Sequence, residues 1–259
     1  MALQGKTIII SGIASGIGQA TAALARQAGA YVIGLDKNPA TVELDQFIEI
    51  DMSDEGAIDA ALEQIDEGAD RLCNIAGISM APPQPMVLKV NFLGPRYLAT
   101  KLAPRLADGA SIVNMASVGG SAWRDNLEQV KPCIALTSMS QAEQFCTEYN
   151  VERTLSYKLA KECLIVWTMM NARTWLDRGI RINCVSPGPI ETPLLHASQA
   201  VSGERGKQIT GKAPRIGEPL EVASVVLFLL TGASGFINGA DIGVDGGLAA
   251  TFNRERFDF

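Results

Sequence analysis

Seven short runs of apolar, mostly β-branched residues recur along the 259-residue chain, with helix-length stretches between most of them. They are Thr7–Ile10, Tyr31–Leu35, Phe47–Ile50, Arg71–Ile75, Ser111–Met115, Arg181–Val185 and Asp241–Val244. Runs this continuous need cover on both faces, as the strands of a parallel sheet between two helical layers have. The intervening segments near 17–29, 55–66, 86–106, 155–178 and 219–231 read as helices. This alternation predicts an α/β fold with a doubly wound parallel sheet, and with no Pro/Gly/Ser-rich linker a single domain is expected over 1–259. Residues 121–153 break the rhythm, because a short loop would ordinarily join a strand to the next helix. Their helix-capable pieces, such as Thr137–Glu148, predict a small helical insertion between the fifth strand and the helix that follows.

The formal net charge is −6 and no run of Lys or Arg stands out. Nucleic acid and an anionic membrane are therefore not expected as partners, since both require a basic face. The five cysteines, Cys73, Cys133, Cys146, Cys163 and Cys184, have neither CxxC nor Cys/His spacing. No metal site is expected, and a reducing compartment fits an odd set of unpaired thiols. MALQGKTIII lacks a signal-peptide pattern, and no stretch approaches a membrane span, so a cytoplasmic location is expected.

Ser11-Gly12-Ile13-Ala14-Ser15-Gly16-Ile17-Gly18 closes the first strand and opens the first helix. Glycines there permit a tight turn and close approach of backbone to a pyrophosphate, which the free amides and positive end of the helix then attract. Asp36 ends the second strand, placed to accept hydrogen bonds from the adenosine ribose hydroxyls. A carboxylate there repels a 2′-phosphate, so NAD is the expected cofactor rather than NADP.

Tyr157-Lys158-Leu159-Ala160-Lys161 opens another predicted helix, and the i/i+4 spacing puts Tyr157 and Lys161 on one face. A phenol with a pKa near 10 is a poor base at neutral pH until a neighbouring ammonium stabilises its phenolate. Tyr149, with Arg153 four residues later, offers similar spacing and no supporting motif.

These motifs, taken in order, resemble the short-chain dehydrogenases/reductases over essentially the whole chain. The phosphate loop matches with Ser11 in place of the usual Thr, and Asp51, with Met52 beside it, matches the acid at the adenine. Asn74-Ile75-Ala76-Gly77 matches an Asn-Asn-Ala-Gly segment from which Ile75 departs. Val90-Asn91, Ile112–Ser117, Pro187-Gly188-Pro189-Ile190-Glu191-Thr192 and Val244-Asp245-Gly246-Gly247 complete the set. The resemblance implies a Rossmann fold in which Tyr157 exchanges a proton with the alcohol and Lys161 lowers its pKa and binds the nicotinamide ribose. It further implies that Ser117 steadies the reacting oxygen and that Asn91 anchors a water leading to Lys161. The cofactor residues it implies are Gly12, Ser15, Gly16, Ile17, Gly18, Asp36, Asp51, Met52, Asn74, Ala76, Gly77, Pro187, Gly188, Ile190 and Thr192, besides Tyr157 and Lys161.

Ser117 and Tyr157 stand forty residues apart, wider than is usual in this family. The wide spacing resembles a subgroup acting on phenylpropanoid alcohols and hydroxysteroids, with bicyclic monoterpene alcohols an alternative. A non-catalytic dinucleotide sensor is a further alternative, disfavoured because Tyr157 and Lys161 are both retained. In the insertion, Trp123, Met139 and Phe145 are candidates for an apolar substrate wall, though aromatic and aliphatic groups there would equally form a core of their own. Residues 194–213 read as a flexible lid over the site. His196 reads as a loop or substrate-contact residue. The helix from Pro219 is apolar almost all round and predicts burial against a second copy of the chain, hence a homo-oligomer.

Overall fold

The computed structural model describes residues 3–258. Its seven strands, β1 Thr7–Ser11, β2 Tyr31–Asp36, β3 Gln46–Glu49, β4 Arg71–Asn74, β5 Ser111–Met115, β6 Arg181–Pro187 and β7 Asp241–Val244, form one sheet. Every pairing is parallel and the order is β3-β2-β1-β4-β5-β6-β7. The order reverses between β1 and β4, and such a switch opens a crevice beyond the carboxyl ends of the strands.

Among the described residues ten α-helices accompany the sheet: α1 Gly16–Gln27, α2 Glu55–Leu62, α3 Gln84–Leu88, α4 Gly94–Leu102, α5 Leu127–Ile134, α6 Ala142–Glu148, α7 Arg153–Met170, α8 Pro193–Thr210, α9 Pro219–Leu230 and α10 Leu248–Phe257. Alternate strand residues serve opposite layers. Ile8 and Ile10 of β1 join Val32, Cys73, Val113 and Val185 in a core completed by Ala22 and Ala25 of α1 and Val222, Val226 and Leu229 of α9. Ile9 points the other way, into a core with Ile58, Phe92, Leu98, Leu164 and the insertion. Each fully buried Ile, Leu or Phe contributes about 1.5–3 kcal/mol, so the unbroken apolar strands are accounted for by two covered faces.

Three stretches differ from the sequence expectation for local reasons. The run expected over 86–106 is interrupted by a wide π-type turn at Lys89–Leu93, between α3 and α4, which carries Asn91. The helix expected over 155–178 stops at Met170, where Asn171 Nδ2 donates to the Trp167 carbonyl and competes with the helical pattern. The stretch expected to be a flexible lid is α8, capped by the Thr192 hydroxyl and bent at Gly203, whose φ of 55° only glycine adopts readily.

The insertion forms short helical turns with α5 and α6. It docks on α2, α3 and α4 through backbone-directed hydrogen bonds. Glu55 accepts from the Met139 amide at 2.8 Å, Arg96 donates to the Ile134 carbonyl at 2.9 Å, and Gln84 donates to the Val151 carbonyl at 3.0 Å. Val130, Cys133, Met139, Ala142 and Phe145 join the core on that side of the sheet.

Candidate active site

A cleft of about 920 Å³ lies across the carboxyl ends of the strands. Its floor is made where β1, β2, β4, β5 and β6 end, by Gly12, Asp36, Ala76, Ser117 and Gly188 among others, and Asp51 lies just beyond β3. At one end the chain turns from β1 into α1 with no room for a Cβ at Gly12 or Gly18. A Cβ on Gly12, where φ is +79°, would stand 2.6 Å from the Ala76 Cα, and one on Gly18 would stand 1.9 Å from the Gly12 carbonyl oxygen. Ser11 fixes this turn to β4, its hydroxyl accepting from the Ile75 and Ala76 amides at 3.1 and 3.2 Å. Ser15 precedes α1 without a side-chain cap, and the first turn of the helix holds no acidic residue. The leading amides of α1 are thus left for an anionic ligand, and the glycine cradle fits a pyrophosphate.

Asp36 sits beside that turn. Its Oδ2 accepts from the Ala14 amide at 3.0 Å and its Oδ1 from the Asn38 amide at 2.9 Å, so each oxygen keeps a free lone pair. Lys37, a neighbouring cation that could welcome a 2′-phosphate, is drawn instead to Asp51, with Nζ 2.7 Å from Oδ2. Burial pushes the Asp51 carboxyl up, but the Lys37 ammonium and the Ser53 hydroxyl and amide outweigh it and bring the group down to about 2.

The other end holds the titratable cluster. Ser117 leaves β5 in extended conformation, and its hydroxyl accepts from the Gly119 amide at 3.1 Å. Tyr157 and Lys161 share a face of α7, with Lys161 Nζ 5.6 Å from the centroid of the tyrosine ring. Burial raises the Tyr157 phenol above its ordinary value, while hydrogen bonding with Ser117 pulls it back. Lys161 is 3% exposed and donates to the Met115 carbonyl at 2.7 Å. Burial lowers its ammonium to about 8. Asn91 lies behind this pair, exchanging hydrogen bonds with both the amide and the carbonyl of Ile78 at 2.9 Å. A Cβ on Gly77 would stand 2.9 Å from Asn91 Oδ1 and 3.7 Å from Lys161 Nζ. The bare glycine therefore keeps open a small space that both groups flank.

Every candidate cofactor residue from the sequence lines the cleft except Asn74. Its side chain turns into the sheet, where Nδ2 donates to Asn114 Oδ1 at 2.8 Å and to the Pro95 carbonyl at 3.2 Å. Trp123, Met139 and Phe145 do not line the cleft either. Met139 and Phe145 are buried with the insertion's own apolar groups, Phe145 stacks on Tyr149, and Trp123 is half-buried with the Arg124 guanidinium 4.2 Å over its ring. The apolar lining of the cleft includes instead Met80, Met86 and Leu155, and Leu194, Leu195, Val201 and Ile209 of α8. The i, i+1, i+4 and i+7 recurrence over Leu194, Leu195, Ser198 and Val201 is a signal that could have found this lining in the sequence. His196 pairs with Glu191 on the exposed side of α8.

Residues 6–127 match a family model described as short chain dehydrogenase, and residues 122–249 match one described as enoyl-(acyl carrier protein) reductase. The chain is 39% identical to the coniferyl-alcohol dehydrogenase of a Pseudomonas species over 97% of this chain and 100% of that one. It is 31% identical to the 3-alpha-hydroxysteroid dehydrogenase/carbonyl reductase of Comamonas testosteroni, covering 96% and 99%. Among solved structures, a 3-alpha-hydroxysteroid dehydrogenase from another Pseudomonas, complexed with NADH, superposes with a TM-score of 0.85 at 31% identity, covering 96% of this chain and 99% of that one.

The placement of Trp123 yields a prediction. Trp123→Ala should cost about 1–3 kcal/mol of stability, seen as a lower melting temperature, because it removes packing from the insertion. The folded fraction should keep the ligand preferences of the unsubstituted protein, and a selective loss of affinity for bulky ligands would return Trp123 to the cleft wall.

Proposed function

The chain belongs to the short-chain dehydrogenase/reductase family of oxidoreductases, and from that premise we propose that it is an NAD-dependent dehydrogenase of bulky, apolar alcohols. The observation that carries this reading is the joining, in one largely apolar cleft, of an anion-seeking glycine turn with Ser117, Tyr157 and Lys161. The phosphate-loop residues would hold the pyrophosphate, Asp36 the adenosine ribose, Asp51 and Met52 the adenine side, and Pro187, Gly188, Ile190 and Thr192 the nicotinamide end. When bound, NAD supplies the two-electron acceptor and a positively charged ring whose field adds to that of Lys161.

Tyr157 then takes the alcohol proton at its phenolate oxygen. Alone, its buried phenol resists ionisation, so the base is armed by positive charge and idle without it. Lys161 provides such charge at close range, and Ser117 holds the reacting oxygen as charge develops on it. Asn91, across the space at Gly77 from Lys161, would anchor the water through which the proton leaves.

The apolar wall from α8 and Leu155 favours a hydrophobic alcohol over a sugar or hydroxy acid. A phenylpropanoid alcohol is the first reading, supported by the 39% relative. A hydroxysteroid is the second, supported by the 31% relative and the superposed structure. The chain is also proposed to form a homo-oligomer. The face of α9 turned away from the sheet leaves Leu220 and Phe228 exposed, with Phe236 fully exposed nearby, and a second copy would cover them.

Two measurements test these readings. A panel of phenylpropanoid, steroid, terpene and short aliphatic alcohols, followed by NADH absorbance, should show turnover of bulky members, with catalytic efficiency at least about tenfold higher for NAD than for NADP. No turnover, or equal efficiency with the two cofactors, would contradict it. Light scattering at micromolar concentration should give a mass above that of one chain, and a monomer there would remove the oligomer.

A further inference from the structure

Five charged side chains line the cleft among the described residues. Asp36, Lys37 and Asp51 lie at the end of the phosphate turn, and Lys161 is on the floor. The fifth, Lys158, has no part in the proposed reaction. It follows Tyr157 directly on α7 and lies on the cleft wall with Gly119, Thr154 and Leu155.

Behind Lys158, one turn along α7, is Glu162, whose side chain is completely buried. Its Oε2 accepts from Asn126 Nδ2 of the insertion at 2.6 Å. Its Oε1 lies 3.4 Å from Lys158 Nζ and is a buried oxygen with no hydrogen-bond partner. Burial pushes the Glu162 carboxyl up; the Asn126 hydrogen bond and the Lys158 ammonium pull it down, and Asp125 adds to the upward push. A carboxylate buried this way costs several kcal/mol unless a cation compensates it, and Lys158 on the wall is the cation 3.4 Å from it.

Two consequences follow from that position. The ammonium has three donors, and a contact as long as 3.4 Å leaves its hydrogen-bonding capacity for a group arriving in the cleft. The pair as a whole is neutral, so it suits a neutral acceptor and offers little to a second carboxylate.

We infer that Lys158, seated against Glu162, is a specificity-determining group that donates a hydrogen bond to a neutral phenol, ether or carbonyl oxygen of the alcohol other than the reacting one. The inference rests on the proposed dehydrogenase reading and narrows its substrate to apolar alcohols that carry a second oxygen. A lysine that merely neutralised a buried acid would influence stability and leave substrate choice alone.

The test compares cinnamyl alcohol with 4-hydroxy-3-methoxycinnamyl alcohol, which adds two oxygens at the far end of the ring. Binding is measured by calorimetry on the full chain with NADH present, which cannot accept hydride from the alcohol, and kcat/KM with NAD by NADH absorbance. Lys158→Met keeps the apolar stem and removes the ammonium. Because it strands Glu162, the double variant Lys158→Met with Glu162→Gln is measured too, removing both charges while keeping an acceptor for Asn126. In both variants the preference for the oxygenated alcohol should fall about tenfold, the scale of one hydrogen bond from a charged donor, mainly through Kd and KM. An unchanged preference in the folded double variant overturns the inference, as does failure of the unsubstituted chain to bind the oxygenated alcohol more tightly. Binding of both alcohols without NADH formation would instead overturn the dehydrogenase reading, while the binding ratio still decides the role of Lys158.

Discussion

The Lys161 ammonium is buried beneath the end of β5, held by the Met115 carbonyl at 2.7 Å. A cation taken out of water costs several kcal/mol, and here that cost lowers the group to about 8 without discharging it at neutral pH. Much of the surrounding backbone is arranged so that this charge can be kept and used. The wide turn at Lys89–Leu93 carries Asn91 behind it, Gly77 leaves open the space they share, and Gly120 lets the chain after Ser117 press on α7. A Cβ on Gly120 would stand 2.9 Å from the Lys161 carbonyl carbon, so the chain after Ser117 approaches α7 more closely than a side chain at this position would permit.

The insertion belongs to this support. It does not reach over the cleft; it lies along α2, α3, α4 and α7, and its Asn126 grips Glu162, the residue after Lys161. The cleft is instead lined by α8, whose Thr192 cap begins where the segment from Pro187 ends and which contributes Leu194, Leu195 and Val201 before its bend at Gly203 and Ile209 after it. The insertion thus packs firmly on one side of α7, while a bent, half-exposed helix flanks the other side of the cleft.

The strands, their parallel pairing and the shared face of Tyr157 and Lys161 were legible because each leaves a short-range trace, whereas Ser117 came from the family resemblance. Apolar runs show buried strands, glycines show a turn that tolerates no Cβ, and i/i+4 spacing shows a shared helix face. What escaped depends on contacts distant in the chain. Asn74 belongs to a motif and yet turns inward, because Asn114, forty residues on and its register partner in β5, accepts its amide. Trp123, Met139 and Phe145 carry the composition of a substrate wall and of a small core alike, and docking of the insertion on α2 and α4 selects the core. The role of α8 was partly visible in its apolar spacing, but the serines, lysines and glycines around that spacing read as a loop.

Tyr157 is proposed as the base that Lys161 arms, and the most direct measurement separates its chemistry from binding. Tyr157→Phe removes the phenolic oxygen and keeps the ring that lies beside Lys161. Its NADH affinity, measured by fluorescence titration, should match that of the unsubstituted protein, while turnover should fall by about 10²–10⁴-fold. Tyr149→Phe, in the insertion's core, serves as the control and should retain its turnover. A Tyr157→Phe protein that still turns over alcohol at the original rate, or a Tyr149→Phe protein that loses as much, would contradict the assignment of the base.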